Sequence, residues 1–395
     1  MIKEEVKIDY SNCIGIIVPS LKSMFAASII IAAEEALRRK GYSAIICHCN
    51  TIATQEIGAV NFALSKGVKG IIDMPLCLDE EHLVPALKKN IPIVLVDDMI
   101  ESLRNKVSAV LVDNADGAER AVSMLVNAGH KHIGAIVGPS VVLSGRDRLE
   151  GYLRALKKNG IPVREEYIFN SDYSMKGGYD GTKQLVKNED ISAIFATNYD
   201  TTMGAYMALN DLDIQVPERL SIIGFDNYEL ANVVRPKLSI ITQPMDEIGK
   251  TAVEILLEAI SKKNGTFQNK TIVLPTGLFI GDTIRQTHSR NQVIVNSIKD
   301  IIQNNYADIK NMNQISQQLH FSSSYIISVF KKHMDQTIFE YLQSVRMEAA
   351  KELLQNPHLK IYEIAEKVGY QSSSFFTSLF KQHYGYSPKQ FRDGI

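Results

Sequence analysis

Six polar residues stand just past stretches of the chain that have the composition of buried strands. The set combines carboxylates, amides and one guanidinium: Asp73, Asp98, Asn114, Arg146, Asn198 and Asp226. A carboxylate accepts two hydroxyl hydrogens, a guanidinium donates to two adjacent oxygens, and an amide does both. The set therefore suits a polyhydroxylated ligand, and the aromatic residues Phe25 and Tyr173 are candidates to cover the apolar face of a sugar.

The elements expected to position these residues alternate between strands and helices from Cys13 to about Thr283. Apolar runs such as Ile93–Val96 and Ile133–Val137 are separated by longer helical patterns such as Met24–Lys40. This alternation predicts parallel sheets covered by helices on both faces, with ligands bound beyond the carboxyl ends of the strands. Because roughly 270 residues exceed what one sheet comfortably holds, we expect an α/β region of two lobes, each a doubly wound parallel sheet, with a cleft between them.

Two stretches near the C-terminus repeat one pattern, in which Phe330-Lys331 and Phe380-Lys381 occupy matching places 50 residues apart. The first reads ISQQLHFSSSYIISVFKKHM from Ile315, and the second reads IAEKVGYQSSSFFTSLFKQ from Ile364. Each copy predicts a short helix, a tight turn and a second helix opened by serines. That is the outline of a helix-turn-helix, and two units in tandem indicate DNA binding by an all-α region.

The second helix of each unit is the expected DNA-reading element, since it enters the major groove with its N-terminal turns at base edges. Serines cap this helix and help to hold backbone phosphates, Phe330 and Phe380 anchor it, and lysines follow for further phosphates. The candidate DNA-binding residues are Ser323, Ser324, Ile327, Ser328, Lys331, Lys332, Gln371, Ser373, Thr377, Ser378 and Lys381.

A stiff amphipathic helix is expected to connect the two units. Its predicted apolar stripe recurs at intervals of three and four residues: Ile338, Leu342, Val345, Ala349 and Leu353. A rigid connector suits two readers in successive major grooves, about 34 Å apart along the duplex.

Residues 293–392 resemble the AraC/XylS-type DNA-binding domain. Besides the two units, the resemblance includes the connecting segment FEYLQSVRMEAAKELL and the final segment with Gly385, Ser387-Pro388 and Phe391-Arg392. The chain departs from that family at Ser328 and Ser378, where members often carry an arginine that reads guanine. The departure shifts the expected base reading towards thymine methyl groups, through Ile327 and Thr377.

Residues 14–283 resemble the effector-binding core of LacI/GalR-type regulators, which is itself similar to periplasmic sugar-binding proteins. The segments VDNADGAERAV, IFATNYDTTMGAYMAL and VPERLSIIGFDNYELA follow the order of that family. By position, the resemblance implies ligand contacts at Arg146, Asn198 and Asp226, a residue near the hinge at Gln243, and an aromatic residue on the cleft rim at Phe25. Asp98 and Tyr173 complete the candidate ligand-binding set.

The chain also departs from the LacI/GalR pattern. Tyr199 stands where that family often has aspartate, and the first sheet begins too early for an N-terminal helix-turn-helix. We therefore expect a LacI-type effector domain at residues 1–285, a linker at 286–292 and an AraC-type DNA-binding domain at 293–395. The same architecture is that of xylose-responsive regulators, so a pentose is the expected effector, with a sugar phosphate or a purine as the alternative.

Composition and charge limit the classes of protein and the partners that can be expected. The net charge is −1, and the region from residue 290 onward carries 12 Lys and Arg against 9 Asp and Glu, which is a weak electrostatic signal for DNA. No apolar run has the length of a membrane span and Met1–Asp9 does not read as a signal peptide, so a cytoplasmic protein is expected. Cys47-His48-Cys49 is interpreted as part of a buried strand with apolar thiols, and no metal or cofactor is expected.

Two other classes of function compete with a ligand-responsive transcription regulator. A sugar-transport component is disfavoured because it leaves the C-terminal region unexplained. A sugar- or nucleotide-processing enzyme is disfavoured because the phosphate-binding glycine motifs, the G-x-S-x-G elbow and the H-E-x-x-H motif are absent from the sequence. The expected partners are double-stranded DNA, a small effector, a second copy of the chain bound through the effector domain and, for the favoured role of activator, RNA polymerase.

Overall fold

The computed structural model describes residues 12–76, 79–226, 231, 233–262, 267–285 and 290–394. The chain divides into two compact units, one of residues 1–277 with 281–285 and one of residues 278–280 with 286–395. The first unit is α/β and the second is helical, as the sequence predicts. Residues 286–289 of the expected linker lie outside the described residues, and residues 290–292 already belong to a helix.

Twelve strands form two six-stranded sheets among the described residues. The strands are β1 (Cys13–Val18), β2 (Ser43–His48), β3 (Gly70–Asp73), β4 (Ile93–Val96), β5 (Ser108–Val112), β6 (Ile133–Val137), β7 (Ile168–Asn170), β8 (Ala193–Ala196), β9 (Ser221–Asp226), β10 (Ser239–Thr242), β11 (Thr271–Leu274) and β12 (Gly277–Phe279). The first sheet has the order β11-β5-β4-β3-β1-β2, and the second has the order β12-β10-β9-β8-β6-β7. Neighbouring strands from β2 to β11 in the first sheet and from β7 to β10 in the second run parallel.

Eight helices of the first unit cover these sheets in the described part of the chain. They are α1 (Met24–Arg39), α2 (Ala53–Ser65), α3 (Val84–Lys88), α4 (Asn114–Asn127), α5 (Leu143–Lys158), α6 (Met175–Leu185), α7 (Tyr199–Asp211) and α8 (Met245–Ser261). Helices α1 and α8 pack together on one face of the first sheet, and α2 and α3 lie on the other. In the second lobe α4 packs on α5, and α6 packs on α7.

The central strands of each sheet are buried because helices cover both faces of the sheet. Along β1, Ile14 and Ile16 enter the core beneath α1 and α8, whereas Ile17 enters the core beneath α2 and α3. This alternation follows from the two-residue period of a strand. The expected buried strand at the cysteines is wrong in one respect: β2 is an edge strand, where Cys47 is half-buried and His48 is exposed, and only Cys49 beyond it is buried.

The sequence analysis did not predict helix α4 or strands β7, β10 and β12. Pro236 interrupts the apolar sequence that precedes β10. Strands β7 and β12 are each three residues long, which is too short to show the alternation of apolar and polar residues that predicts a strand. No helix among the described residues has both the length and the apolar character that crossing a membrane requires.

The second unit contains seven helices in the described residues. They are α9 (Arg290–Asn305), α10 (Met312–Leu319), α11 (Ser323–Met334), α12 (Ile338–Leu354), α13 (Ile361–Lys367), α14 (Ser373–Tyr384) and α15 (Pro388–Arg392). Helices α10 and α11 form the first helix-turn-helix, α13 and α14 form the second, and α12 connects them.

The buried stripe of α12 differs from the prediction in its second half. Ile338 and Leu342 are buried as predicted, but Met347, Ala350 and Leu354 then continue the stripe. The predicted Val345, Ala349 and Leu353 are only half-buried. An α-helix completes a turn every 3.6 residues, and the step of five residues from Leu342 to Met347 places the buried Ala350 and Leu354 one residue beyond the predicted Ala349 and Leu353.

Candidate functional site

Arg148 is the most buried cation at the carboxyl ends of the second sheet. Its side chain is 3% exposed. Its Nε donates to Oδ1 of Asn114 at 2.9 Å, and its Nη1 donates to the backbone oxygen of Thr197 at 2.6 Å. The guanidinium carbon lies 3.9 Å from the centroid of the Phe225 ring, a cation–π contact. Arg148 is therefore held in one orientation by residues that follow or end three strands.

Asp97 brings a carboxylate from the first lobe towards this cation. It directly follows β4 and adopts a left-handed backbone with φ of +72°, which is uncommon outside glycine and asparagine. Its Oδ1 is shielded from solvent and has no hydrogen-bond partner among the described residues. Burial raises the pKa of Asp97 to about 6, Arg148 opposes that rise, and Asp98 adds to it. An unsatisfied oxygen of this kind is available to a ligand hydroxyl.

Two of the predicted ligand-binding residues have other surroundings than expected. Arg146 has an exposed side chain, because it lies on the solvent side of α5, two residues before the buried Arg148. Asp98 accepts the backbone N–H of Leu143 at 3.2 to 3.3 Å and that of Met99 at 2.7 Å. Since Leu143 begins α5, Asp98 joins the end of a strand in the first lobe to a helix of the second. Burial raises the pKa of Asp98 as well.

Tyr173 and Asn198 hold each other in place. Tyr173 has φ of +65°, its hydroxyl lies 3.4 Å from Oγ of Ser144, and its ring centroid lies 6.0 Å from the Arg148 guanidinium carbon. Asn198 donates from Nδ2 to the Tyr173 backbone oxygen at 3.0 Å, and its Oδ1 caps α7 by accepting Thr201 N–H at 3.0 Å. Gly138 permits this arrangement, because a Cβ there would lie 2.0 Å from the Tyr173 ring.

The other candidates are distributed around the lobes. Phe25 is half-buried and packs against the core of the first lobe, and Gln243 is buried just after β10. Asp226 ends β9, but its side chain lies outside the described part of the structure. Asp73, at the end of β3, is fully buried against His82 and not open to a cleft.

Sequence reasoning named neither Arg148 nor Asp97, although a signal was present for the first. The buried face of α5 contains Ser144, Arg148, Tyr152 and Ala155, at helical spacing, and Arg148 is the arginine in phase with it. The choice between Asp97 and Asp98 depends on a backbone turn that no periodicity reveals. Together Asp97, Asn114 and Arg148 offer an acceptor, an amide and a guanidinium beside aromatic rings.

The second helices of the two helix-turn-helix units, α11 and α14, expose matching faces. On α11 the exposed side chains include Ser324, Ile327, Ser328, Lys331 and Lys332, whereas Ile326, Val329 and Phe330 are buried. On α14, Ser378 and Lys381 are exposed, Thr377 is half-buried, and Phe376 and Phe380 are buried. Gln371 is exposed before α14.

The serines divide into two roles. Ser322 and Ser372 are the N-caps, and they accept the N–H groups of Tyr325 and Phe375 at 3.3 Å. Ser323 instead donates to Oγ of Ser316 at 3.1 Å and so ties α11 to α10. Ser373 is half-buried, and its backbone oxygen accepts the Thr377 hydroxyl at 2.8 Å.

Exposed aromatic rings at the start of both helices were not among the predicted contacts. Tyr325 is 39% exposed and Phe375 is 58% exposed, at positions 50 residues apart. Their matched places in the repeat were the available signal. A ring at this position has the right character to contact a thymine methyl group.

Comparisons with known proteins agree with both halves. A family model described as a periplasmic binding protein-like domain matches residues 94–284, and a helix-turn-helix domain model matches residues 315–394. The structure is similar to that of a putative ribose operon repressor from Burkholderia thailandensis, with a TM-score of 0.62 and 31% identity over 68% of this chain and 98% of that one. It is also similar to a LacI family transcriptional regulator from Enterococcus faecium with bound ribose, with a TM-score of 0.61 and 25% identity over 70% of this chain and 100% of that one.

Curated relatives are transcription regulators. Catabolite control protein A of Priestia megaterium is 32% identical over 267 residues, which are 67% of this chain and 79% of the relative. The HTH-type transcriptional repressor PurR of Photorhabdus laumondii is 31% identical over 66% of this chain and 77% of its own length. The fold and these relatives define a DNA-binding transcription regulator with a small-molecule effector domain, not an enzyme. The chain belongs to the LacI/GalR family through that domain, and it carries an AraC/XylS-type helix-turn-helix domain on its C-terminal side.

Proposed function

We propose that the protein is a transcription activator controlled by a monosaccharide bound between the two lobes of its effector domain. The observation that carries the proposal is the Arg148 cluster, in which a buried guanidinium bonded to Asn114 faces Asp97, whose Oδ1 is unsatisfied. Vicinal hydroxyls match a guanidinium and a carboxylate, because the first donates and the second accepts. The rings of Phe225 and Tyr173 suit the apolar face of a sugar.

A pentose is the proposed effector, with xylose as the example to test first. The E. faecium regulator with bound ribose supports a pentose, because its effector domain shares the fold and a quarter of the aligned residues. A sugar phosphate needs a second cation near Arg148, and a purine needs a flat apolar slot. Both remain alternatives for the screen below.

Closure of the lobes is the proposed response. Asp98 already accepts the N–H of Leu143 across the lobes, so ligand hydroxyls bound between Asp97 and Arg148 would add to an existing contact. A ligand shifts the equilibrium only by its differential affinity for the closed arrangement. Transmission to the DNA-reading unit would pass through the segment that precedes α9.

A thermal-shift screen of the full chain over pentoses, hexoses, their phosphates and purines tests the ligand. At a ligand concentration of a hundred times Kd, a cognate ligand stabilises the folded state by about 2.7 kcal/mol. The matched variants are Arg148→Met and Arg146→Met, two residues apart on one helix. We expect the first to weaken binding by roughly tenfold to hundredfold, since charged hydrogen bonds contribute about 1.5–3 kcal/mol, and the second to change it little.

The opposite pattern, with Arg146→Met losing the ligand response and Arg148→Met retaining it, would restore the assignment made from sequence. Arg148→Lys keeps the charge and reports on the bidentate geometry, and the unfolding temperature of each ligand-free variant reports on folding. Conversion of the bound sugar to a product would contradict a purely regulatory role.

We further propose a homodimer formed through the effector domain. Helix α2 exposes Ile57 and Phe62, which are 38% and 51% exposed, and apolar patches of this kind support association. Light scattering should give a dimer for the full chain and a monomer for Phe62→Lys. The control is Met207→Lys on α7 of the other lobe, where the replaced side chain is 47% exposed.

Activation is the proposed sign of regulation. Activation, with RNA polymerase as the further partner, follows from the AraC/XylS-type domain, whereas repression is favoured by the names of the PurR relatives. A reporter under the native promoter should rise with the effector in the presence of the protein and remain low in its absence. High expression without the protein would identify a repressor.

A further inference from the structure

Three ionisable side chains of the first lobe are completely buried together. Glu56 lies in α2, Asp73 ends β3, and His82 precedes α3, and each has 0% exposure. Nε2 of His82 lies 3.0 Å from Oδ2 of Asp73 and 3.7 Å from Oε1 of Glu56. One ligand atom from each of the three residues falls within 4.8 Å of the other two. The cluster is separate from Arg148, which belongs to the second lobe.

The hydrogen bonds of this cluster leave two of its buried polar atoms without a partner in the described part of the chain. These atoms are Oδ1 of Asp73 and Nδ1 of His82. With both carboxylates ionised and His82 protonated, a net negative charge remains in a region without solvent. Buried charges are expensive unless they are paired or coordinate a metal. A divalent cation beside a neutral imidazole cancels both carboxylate charges at once.

The spacing of the donor atoms fits a metal ion. With metal–ligand distances of about 2.0–2.2 Å, cis or tetrahedral ligand atoms are separated by roughly 3.0–3.6 Å. Of the two His82 distances, the 3.0 Å to Asp73 lies within that interval and the 3.7 Å to Glu56 exceeds it by 0.1 Å. We propose that Glu56, Asp73 and His82 bind a divalent transition-metal ion through one imidazole nitrogen and two carboxylate oxygens.

The donor set indicates the class of metal. Imidazole suits zinc, iron, copper and nickel, whereas magnesium and calcium prefer sites made of oxygen alone. Zinc is the class member to test, because it accepts mixed nitrogen and carboxylate ligands without a redox change. Sequence analysis named no metal site, since the three ligands are spread over residues 56–82 and form no recognised motif.

The ion would act on the structure of the first lobe. Oε1 of Glu56 also accepts the backbone N–H of Leu76 at 2.8 Å, so helix α2 already holds the segment after β3. A metal would join α2, β3 and the segment before α3 at one point. Asp73 is paired with Leu95 of β4, and Asp97 follows on that strand, so the ion would stiffen the sheet edge that carries the proposed effector carboxylate.

Zinc binding by the full chain tests the proposal directly. Purified protein is stripped with a chelator, titrated with zinc chloride, desalted and analysed for bound metal, and its unfolding temperature is followed in parallel. We expect one zinc per chain and a higher unfolding temperature with zinc, and no such rise with magnesium. His82→Gln, Asp73→Asn and Glu56→Gln should each weaken binding by at least about tenfold.

His48→Gln is the matched control. It removes another histidine of the same lobe, one that is exposed and stands between Cys47 and Cys49. Zinc retained in His48→Gln and lost in the isosteric Asp73→Asn supports the site. Zinc retained in Asp73→Asn and lost in His48→Gln overturns it, as does a wild-type chain that binds clearly less than one zinc, whatever the folding of the variants. None of these readouts depends on effector or DNA binding.

Discussion

The two helix-turn-helix units share a plan but differ in their turns. The first turn has His320 in the left-handed region with φ of +52°, and the second has Gly369 with φ of +88°. A Cβ on Gly369 would lie 2.4 Å from the backbone oxygen of Ala307 and 2.8 Å from Nη2 of Arg346. The second turn is therefore pressed against its neighbours, and the first leaves room for a side chain.

Arg346 explains the tighter second turn. From the connecting helix it donates to the backbone oxygens of Tyr306 and Ile309 at 2.8 and 2.7 Å, and its guanidinium lies 5.1 Å from the Tyr370 ring centroid. The second helix-turn-helix is thus attached to the segment between α9 and α10 as well as to α12. Duplicated motifs with similar sequences need not be equally constrained.

The largest expected difference concerns the anchoring phenylalanines. Phe380 has four aromatic neighbours, Phe376, Tyr384, Tyr386 and Phe391, with ring centroids 4.7–6.4 Å away, whereas Phe330 contacts Tyr341 at 5.7 Å. Removing a buried phenylalanine costs about 3–5 kcal/mol. We expect Phe380→Ala to reach the upper end and Phe330→Ala the lower end of that interval, because aromatic pairs contribute a further 0.5–1.5 kcal/mol or so.

Hydrogen exchange of peptides from each unit, measured by mass spectrometry on the full chain, compares the two losses. Phe375→Ala is the control, since that ring is 58% exposed and its removal should change stability by less than about 0.5 kcal/mol. Equal losses from Phe330→Ala and Phe380→Ala would mean that the aromatic cluster adds nothing to the second unit.

The second-largest expected difference in stability concerns the turns of the two helix-turn-helix units. Gly369→Ala places a Cβ in the left-handed region, at a cost of about 1–2 kcal/mol. The new Cβ also overlaps with Ala307 and Arg346, which adds to the loss of stability. His320→Gly releases the same backbone strain and should change stability by no more than about 1 kcal/mol. Exchange of the amides in α13 and α14, against those in α10 and α11, measures both. A neutral Gly369→Ala would show that the second turn is not tightly packed.

The difference between the turns also marks what sequence reasoning can reach. Hydrophobic periodicity and the capping serines were enough to predict the tandem helix-turn-helix units, the two lobes and most strand ends. Periodicity alone cannot choose between Arg146 and Arg148, or between Asp97 and Asp98, as the ligand contact, because the choice depends on the packed face of the helix and on the turn after the strand. The predicted buried stripe of α12 was wrong in its second half for the same reason. The Glu56, Asp73 and His82 cluster depends on tertiary contacts alone.

The N-caps should be equivalent in the two units. Ser322→Ala and Ser372→Ala each remove one acceptor for a backbone N–H at the helix start, at a cost of about 1 kcal/mol. Thermal unfolding of the DNA-reading unit should shift by the same amount in both. Ser328→Ala and Ser378→Ala are the controls, because those serines are exposed and lie beyond the first turn of their helices, away from the caps. Unequal shifts would mean that one helix start has another stabilising contact.

Phosphate contacts give a smaller effect, visible as salt dependence. Lys331→Ala and Lys381→Ala remove exposed cations at matching places in the repeat. Each should weaken binding to every DNA sequence alike and lower the slope of log K against log salt by about 1. Fluorescence anisotropy at several salt concentrations measures the slope. A change of sequence preference from either variant would instead assign that lysine to base reading.

Base reading should give the smallest loss of total affinity and the clearest difference between the units. Ile327 is 39% exposed on α11, whereas the matching Thr377 is half-buried and its hydroxyl is already bonded to the Ser373 backbone oxygen at 2.8 Å. Because only its methyl group is then available, we expect Thr377→Val to preserve preference and Ile327→Ala to reduce preference for thymine. Selection from a randomised DNA pool compares the two. Loss of preference in Thr377→Val would show that the hydroxyl leaves its backbone partner to meet a base.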